Sequence, residues 1–183
     1  MQKYYKAEMD RLLKITTRVV WAAMAVFPVC ITVLYWGTKA LSRCHSCRHP
    51  VPLAIPAWAI PASALLVIIL AYFTRALAPR GFIVNETDVV VDRALRPVKI
   101  PLSSITEVRR LDDAELKNTF RLAATWGFYG HYGWFWNKPL GKFRGYARRM
   151  KGLVLLRAGK AVFVLGPDDP DTFIADLRAV TRR

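Results

Sequence analysis

Two long uncharged runs constrain this chain more than any other feature. They cover residues 19–38 and residues 51–74. The hydrocarbon core of a bilayer is roughly 30 Å thick, and a helix needs about 20 residues to cross it. Both runs reach that length, and the first exceeds the apolar core of a signal peptide, which has roughly 7–15 residues. The sequence therefore predicts transmembrane helices over 19–38 and 51–74, joined by a short outer loop of residues 39–50.

Basic residues flank the two runs and predict the orientation of the chain. The formal net charge is +15 although 54% of the residues are hydrophobic. Lysine and arginine are frequent in residues 1–18 and again after residue 74, and cytoplasmic flanks carry such an excess. We therefore expect an integral membrane protein with both termini in the cytoplasm. Residues 1–18 are expected to form a basic juxtamembrane helix near the inner leaflet, attracted by anionic lipid.

The outer loop contains a pair of cysteines with two neighbouring histidines. Cys44 and Cys47 form a C-x-x-C motif, next to His45 and His49. Four potential ligands in six residues suggest zinc, but thiolate–imidazole sites usually draw on two separate chain segments. We therefore predict no metal site and a possible disulfide between Cys44 and Cys47, or two free thiols.

The remaining residues, 80–183, predict one small and mainly β domain. Short apolar stretches are separated by turn residues at 85–88 and at Gly159, which is typical of strands and hairpins. A polar stretch at 112–123 has helical propensity. Residues 169–171 read Asp-Pro-Asp, a helix start signal, and apolar residues follow at helical spacing.

Three segments of this domain carry a family resemblance: "PLSSITEV", "GKFRGYARR" and "VFVLGPDDPDTFIADL". With the preceding hairpin they make the chain similar to bacterial PH-like (pleckstrin-homology-like) membrane proteins. The resemblance implies a bacterial inner-membrane location and a small barrel of about seven strands closed by a C-terminal helix. In lipid-binding PH domains, it also implies basic residues around the first strand–turn–strand. Here that turn carries Glu86 and Asp88, which would repel phosphate.

We find no enzyme motif in the sequence. It contains neither G-x-S-x-G nor a phosphate-binding P-loop. His131 has no plausible nucleophile beside it, and Asp112, Asp113 and Glu115 are better explained as a solvated helix start. We therefore predict no catalytic residues and no cofactor.

The stretch "WGFYGHYGWFW" at 126–136 holds seven aromatic residues with glycine at every third position, and basic residues follow it. We interpret it as a glycine-rich loop whose rings pack in the core, contact the membrane interface or line a partner groove. A nucleic-acid platform would also combine rings and charge. No nucleic-acid motif accompanies these, so no nucleic acid is expected. The candidate membrane-interface or partner-binding residues are Trp126, Phe128, Tyr129, Tyr132, Trp134, Phe135, Trp136, Arg144, Arg148, Arg149 and Lys151, with Arg144 and Arg148 on one strand face.

These features predict a membrane-anchored binding or scaffold module. Its partners would be the bilayer itself, anionic lipid headgroups or a membrane protein. Two alternatives are a redox or metal-dependent membrane protein acting through Cys44 and Cys47, and a structural subunit of a larger membrane complex.

Overall fold

The first predicted apolar segment, residues 19–38, is helical, and the second is helical from Ala59 onwards. The computed structural model describes residues 2–42 and 56–181, and its long helices are α1 (Arg11–Ser42) and α2 (Ala59–Leu77). By length and composition, both helices are long and apolar enough to cross a membrane. The motif of Cys44 and Cys47 lies outside the described residues, so the disulfide and the metal alternative stay predictions.

The chain divides into two compact units, one helical and one mainly β. The helical unit is Arg18–Phe73, and the β unit combines Met1–Thr17 with Thr74–Arg183. Large apolar side chains of the helical unit are exposed along both helices, including Val19, Phe27, Val33, Leu66 and Ile68. A water-exposed helix usually presents a polar face, whereas these two helices present apolar side chains.

The described residues of the β unit form ten strands and a C-terminal α-helix. The strands are β1 (Lys3–Lys6), β2 (Pro79–Val84), β3 (Asp88–Arg93), β4 (Val98–Pro101), β5 (Ile105–Arg110), β6 (Phe120–Trp126), β7 (His131–Asn137), β8 (Gly141–Ala147), β9 (Val154–Ala158) and β10 (Ala161–Leu165). The closing helix is α3 (Pro170–Thr181). They form one sheet in the order β1-β2-β3-β4 and another in the order β5-β9-β10-β8-β7-β6. Both sheets are open, so the expected closed barrel of about seven strands is not confirmed.

The first sheet contains a strand from the extreme N-terminal part of the chain. Strand β1 pairs antiparallel with β2, which places Tyr5 opposite Phe82. The Tyr5 ring also meets Phe173 of α3 edge-on, with 5.0 Å between ring centres. The prediction of a helix over residues 1–18 is therefore wrong for Lys3–Lys6. The local helical tendency is outweighed here by two tertiary effects. The segment pairs with a strand more than 70 residues away, and Tyr5 is buried.

Local signals at the C-terminal end are confirmed by the structure. The Asp169 carboxylate accepts a hydrogen bond from the Thr172 backbone nitrogen at 3.1 Å, and α3 starts at Pro170. Gly159 has φ 54° in the turn of the β9–β10 hairpin, as its position between two apolar strands predicted. Helix α3 buries Phe173, Ile174 and Leu177 in the core of the β unit.

The polar stretch at 112–123 is helical only at its start. A 3-10 turn covers Asp113–Leu116, and Asp112 with Glu115 forms a capping box around it. The rest of the stretch enters strand β6 and pairs with β7. The helical prediction is therefore wrong from residue 120 onwards, because strand pairing decides the conformation there.

Candidate binding surface

The aromatic stretch forms a β-hairpin, so its interpretation as a glycine-rich loop is wrong. Strands β6 and β7 pair antiparallel, and residues 127–130 form the tip between them. Gly127 and Tyr129 have positive φ values of 88° and 58°, and the Gly127 nitrogen donates to the Gly130 carbonyl at 3.2 Å. Glycine adopts such a backbone without steric cost, so the repeated glycines serve the turn and not flexibility.

A glycine inside strand β7 lets the two strands of the hairpin approach each other. Gly133 lies opposite Ala124, and a Cβ atom on Gly133 would come within 2.4 Å of the Ala123 carbonyl oxygen. Its φ of 122° is also unfavourable for other residues. This position therefore requires glycine for close strand packing.

Four of the candidate rings are buried. Phe135 stacks on Phe143, with 5.6 Å between ring centres, in a core cluster of the six-stranded sheet. Phe128 and Tyr129 at the tip and Tyr132 in strand β7 are also buried. The sequence left open whether the rings pack in the core, contact the membrane interface or line a partner groove. In the structure, these four rings pack in the interior of the β unit.

The buried tip is hydrogen-bonded to the start of α1. The Thr16 hydroxyl donates to the Gly127 carbonyl at 2.7 Å, and the Tyr129 nitrogen donates to the Thr17 hydroxyl at 3.2 Å. Arg148 joins the same contact, because its guanidinium donates to the Tyr129 carbonyl at 3.3 Å and to the Ala7 carbonyl at 3.2 Å. The tip therefore lies where the chain enters the first apolar helix.

The same hairpin also contacts the end of α2. The Tyr132 hydroxyl donates to the Thr74 carbonyl, and burial raises the pKa of this tyrosine. The turn after β3 adds a second contact, since the Leu95 nitrogen donates to the Ala76 carbonyl at 3.0 Å. Thr17 and Thr74 thus mark the two points where the chain leaves and re-enters the β unit, and hairpin residues bind both.

The four candidate cations occupy different environments. Arg144 of β8 lies 4.2 Å from the ring centre of Trp134, within the range of cation–π interaction. Lys142, which was not a candidate, lies 4.5 Å from the same ring centre. Arg149 forms an ion pair with Asp168, and Lys151 is exposed. The candidate cations are therefore not one cluster.

Arg148 differs from Arg144 in the groups that it contacts. It follows the end of β8, and burial lowers its pKa, with further lowering by the positive charges of Arg75 and Arg80. An arginine keeps its charge despite such a shift, so Arg148 remains a donor to backbone carbonyls. It acts as a structural bridge, whereas the Arg144 guanidinium lies over the Trp134 ring.

The other end of the hairpin is open to solvent. Trp136 and Phe120 are directly opposite in β7 and β6 and are 42% and 61% exposed, with 6.0 Å between ring centres. Leu122 is exposed beside them. Of Trp126 only the backbone is described, as the last residue of β6.

A groove of about 410 Å³ lies on the face of β7 and β8 that carries Trp134 and Arg144. Tyr132, Tyr146 and Leu77 line it together with Arg93 from the end of β3. The Arg93 guanidinium lies 5.4 Å from the Tyr146 ring centre. The sequence analysis missed Arg93 and Lys142. The alternation of "KFRGYAR" could have paired Lys142 with Arg144, but no local signal points to Arg93.

The described residues show no other constellation typical of an active site. Over 2–42 and 56–181, no group of three or more His, Cys, Asp or Glu residues is arranged to hold a metal ion. Burial lowers the pKa of His131. The acidic residues at 112–115 are explained by the capping box, as the sequence indicated.

The β unit thus combines two open sheets and a C-terminal helix, and a groove lies on its surface. The bacterial PH domain family model matches residues 80–181, which is more than half of the chain. The chain therefore belongs to the bacterial PH domain family, and this membership suggests a binding or scaffold role. No curated protein and no solved structure gives a significant match.

Proposed function

We propose that this protein is a membrane-anchored PH-like binding module at the cytoplasmic face of a bacterial inner membrane. In this proposal α1 and α2 cross the bilayer as a hairpin, and the β unit binds a lipid surface or a membrane protein. The module performs no catalysis, in line with the binding role that the family suggests.

The pairing of β1 with β2 is the observation that carries this proposal. Strand β1 precedes the first apolar helix and β2 follows the second, yet they are neighbours in one sheet with four residue pairs in register. A bilayer cannot separate two hydrogen-bonded strands of one sheet. Two helices between such strands must therefore cross an even number of times, and this supports a hairpin with both ends on one side.

The side of the membrane follows from the charge. Basic residues flank the two uncharged runs, as Lys3, Lys6, Arg75 and Arg80, and the cytoplasmic side carries this excess.

Thiol labelling in intact cells tests the orientation of the full chain. One single-cysteine variant keeps Cys44 in the outer loop, and another carries Lys160→Cys in the exposed turn of the β9–β10 hairpin. We expect a membrane-impermeant maleimide to label Cys44 in reduced, intact cells and the Lys160→Cys variant only after permeabilisation. Labelling of the Lys160→Cys variant in intact cells would place the β unit outside and contradict the proposal.

Membrane integration is tested separately from orientation. We expect the full chain to stay in the membrane fraction through an alkaline carbonate wash, because two spans are held by apolar burial. Release of the chain by this wash would show that α1 and α2 do not span the bilayer.

A further inference from the structure

The groove beside Trp134 has the chemistry of an anion site. Arg93 and Arg144 line it, and none of the described lining residues carries a carboxylate. No ion pair involves either arginine within the described part of the chain. Two guanidinium groups without a counter-charge favour an anionic ligand, and their planar donors suit phosphate.

The sheet holds the two guanidinium groups in place by ring contacts. Trp134 of β7 is opposite Arg144 of β8, and Tyr132 is opposite Tyr146. Because Arg144 and Tyr146 are two positions apart on one strand, they share a face and are separated by about 7 Å. Arg144 lies over Trp134 and Arg93 lies over Tyr146. The two guanidinium groups therefore lie over neighbouring rings that line the same groove.

Arg93 has unused hydrogen-bonding capacity. One of its terminal nitrogens donates to the Arg96 carbonyl at 2.5 Å. Its Nε atom is buried and has no hydrogen-bond partner among the described residues. A buried donor without an acceptor is costly, and a phosphate oxygen would supply the acceptor.

The groove also lies next to the end of α2. Leu77, the last residue of that helix, lines it, and the Tyr132 hydroxyl on its wall binds the Thr74 carbonyl. Thr74 ends the uncharged run of residues 51–74. When α2 spans a bilayer, its end lies in the headgroup region, where lipid phosphates are concentrated.

We propose that this groove binds the phosphate group of an anionic membrane phospholipid through Arg93 and Arg144. The inference rests on the proposed function, because the lipid comes from the membrane that α1 and α2 cross. The site differs from the strand–turn–strand site of lipid-binding PH domains, where this chain carries Glu86 and Asp88.

Native mass spectrometry of the full chain in nonionic detergent tests the site. Short-chain phosphatidylglycerol is titrated as the anionic probe, and phosphatidylcholine of the same chain length is the zwitterionic control. We expect tighter retention of phosphatidylglycerol. Since one cation near anionic lipid contributes about 1 kcal/mol, Arg144→Gln should weaken binding about fivefold and the double variant with Arg93→Gln about 25-fold.

A matched control separates the groove from overall charge. Arg121→Gln removes one charge from an exposed position on β6 that does not line the groove, so its binding should equal that of the wild type. Arg144 makes only a ring contact among the described residues, so its loss should leave the fold intact even if Arg93→Gln destabilises the turn. Equal weakening by Arg121→Gln and Arg144→Gln would overturn the assignment.

A competition arm distinguishes lipid from soluble phosphate. Glycerol 3-phosphate carries the same phosphate chemistry without acyl chains, and we expect it to displace phosphatidylglycerol poorly. Displacement at equal concentration would show a site for soluble phosphates and overturn the lipid source. The groove site would be overturned if the double variant bound lipid as the wild type does. If the thiol-labelling pattern of that variant still fitted the hairpin, the proposed membrane-anchored module would remain supported.

Discussion

The two ends of the β6–β7 hairpin both carry aromatic residues, but these residues lie in different environments. At the tip, Phe128 and Tyr129 are under 10% exposed, and the backbone around them is hydrogen-bonded to Thr16 and Thr17. At the open end, Trp136 is 42% exposed. The comparison teaches that aromatic content alone does not indicate a binding surface. A ring is buried or exposed according to the segment that reaches it from elsewhere in the chain.

The largest expected effect contrasts two neighbours in strand β7. Phe135→Ala removes a buried ring that stacks on Phe143, and we expect the free energy of unfolding to fall by about 3–5 kcal/mol. Trp136→Ala truncates an exposed ring next to it and should cost under about 1 kcal/mol. Denaturant unfolding of the full chain in detergent, followed by near-ultraviolet circular dichroism, measures both. Equal losses would show that the open end is also part of the core.

The second prediction concerns the arginine that links the tip to the N-terminal segment. Arg148→Gln removes charged donors from the Tyr129 and Ala7 carbonyls, and we expect a loss of about 2 kcal/mol in the free energy of unfolding. Arg148→Lys should recover only part of it, because one ammonium group cannot reproduce the planar fork. Arg110→Gln is the matched control, since it removes the same charge from an exposed surface pair with Asp171. A control as destabilising as Arg148→Gln would show a general charge effect.

A smaller effect is expected from one hydroxyl at the start of α1. Thr17→Val keeps the branched shape but leaves the buried Tyr129 nitrogen without its acceptor, at a cost of about 1 kcal/mol. Deuterium exchange at the tip of the hairpin should become faster. Thr181→Val, which removes a hydroxyl bonded within α3, should leave that exchange unchanged. An unaltered tip in the Thr17 variant would mean that the hydrogen bond does not hold it.

The smallest effect is a pH dependence at the other end of the N-terminal segment. Hydrogen bonds from Lys3 and then Tyr5 lower the pKa of Asp176. A carboxyl whose folded pKa lies below its unfolded value of about 3.9 stabilises the fold above that value, and the contribution disappears as the pH falls through the folded pKa. We expect exchange in β1, corrected for its intrinsic rate, to rise only below about pH 4. Asp176→Asn should abolish this step, and a step that persists in the variant would assign it to another group.

Sequence reasoning predicted the elements whose signals lie within a few residues. The two apolar helices, the cap of α3 at Asp169, the turn at Gly159 and the capping cluster at 112–115 were all found from adjacent residues. It failed where pairing is distant. Lys3–Lys6 reads Lys-Tyr-Tyr-Lys, which is no alternation of polar and apolar residues, and only its contact with β2 makes it a strand.

The candidate site was predicted only in part for the same reason. The sequence located the aromatic and basic residues of the hairpin region but not which of them share a face. Arg144 and Arg148 were expected together, yet one lies over Trp134 and the other is bound to backbone carbonyls. Arg93 reaches the groove from a different sheet, so its role has no local signature.

By itself, the sequence determined the apolar helical segments, their basic flanks and the PH-like character of the domain. Charge, hydrophobic run length and capping residues act over short distances along the chain, so they can be read without a fold. Only the tertiary structure decided that β1 and β2 pair across residues 18–73, that the hairpin tip is buried, and that Arg93 joins Arg144 in one groove. These features depend on contacts between residues far apart in the chain, and strand pairing and burial are fixed only when the whole domain packs.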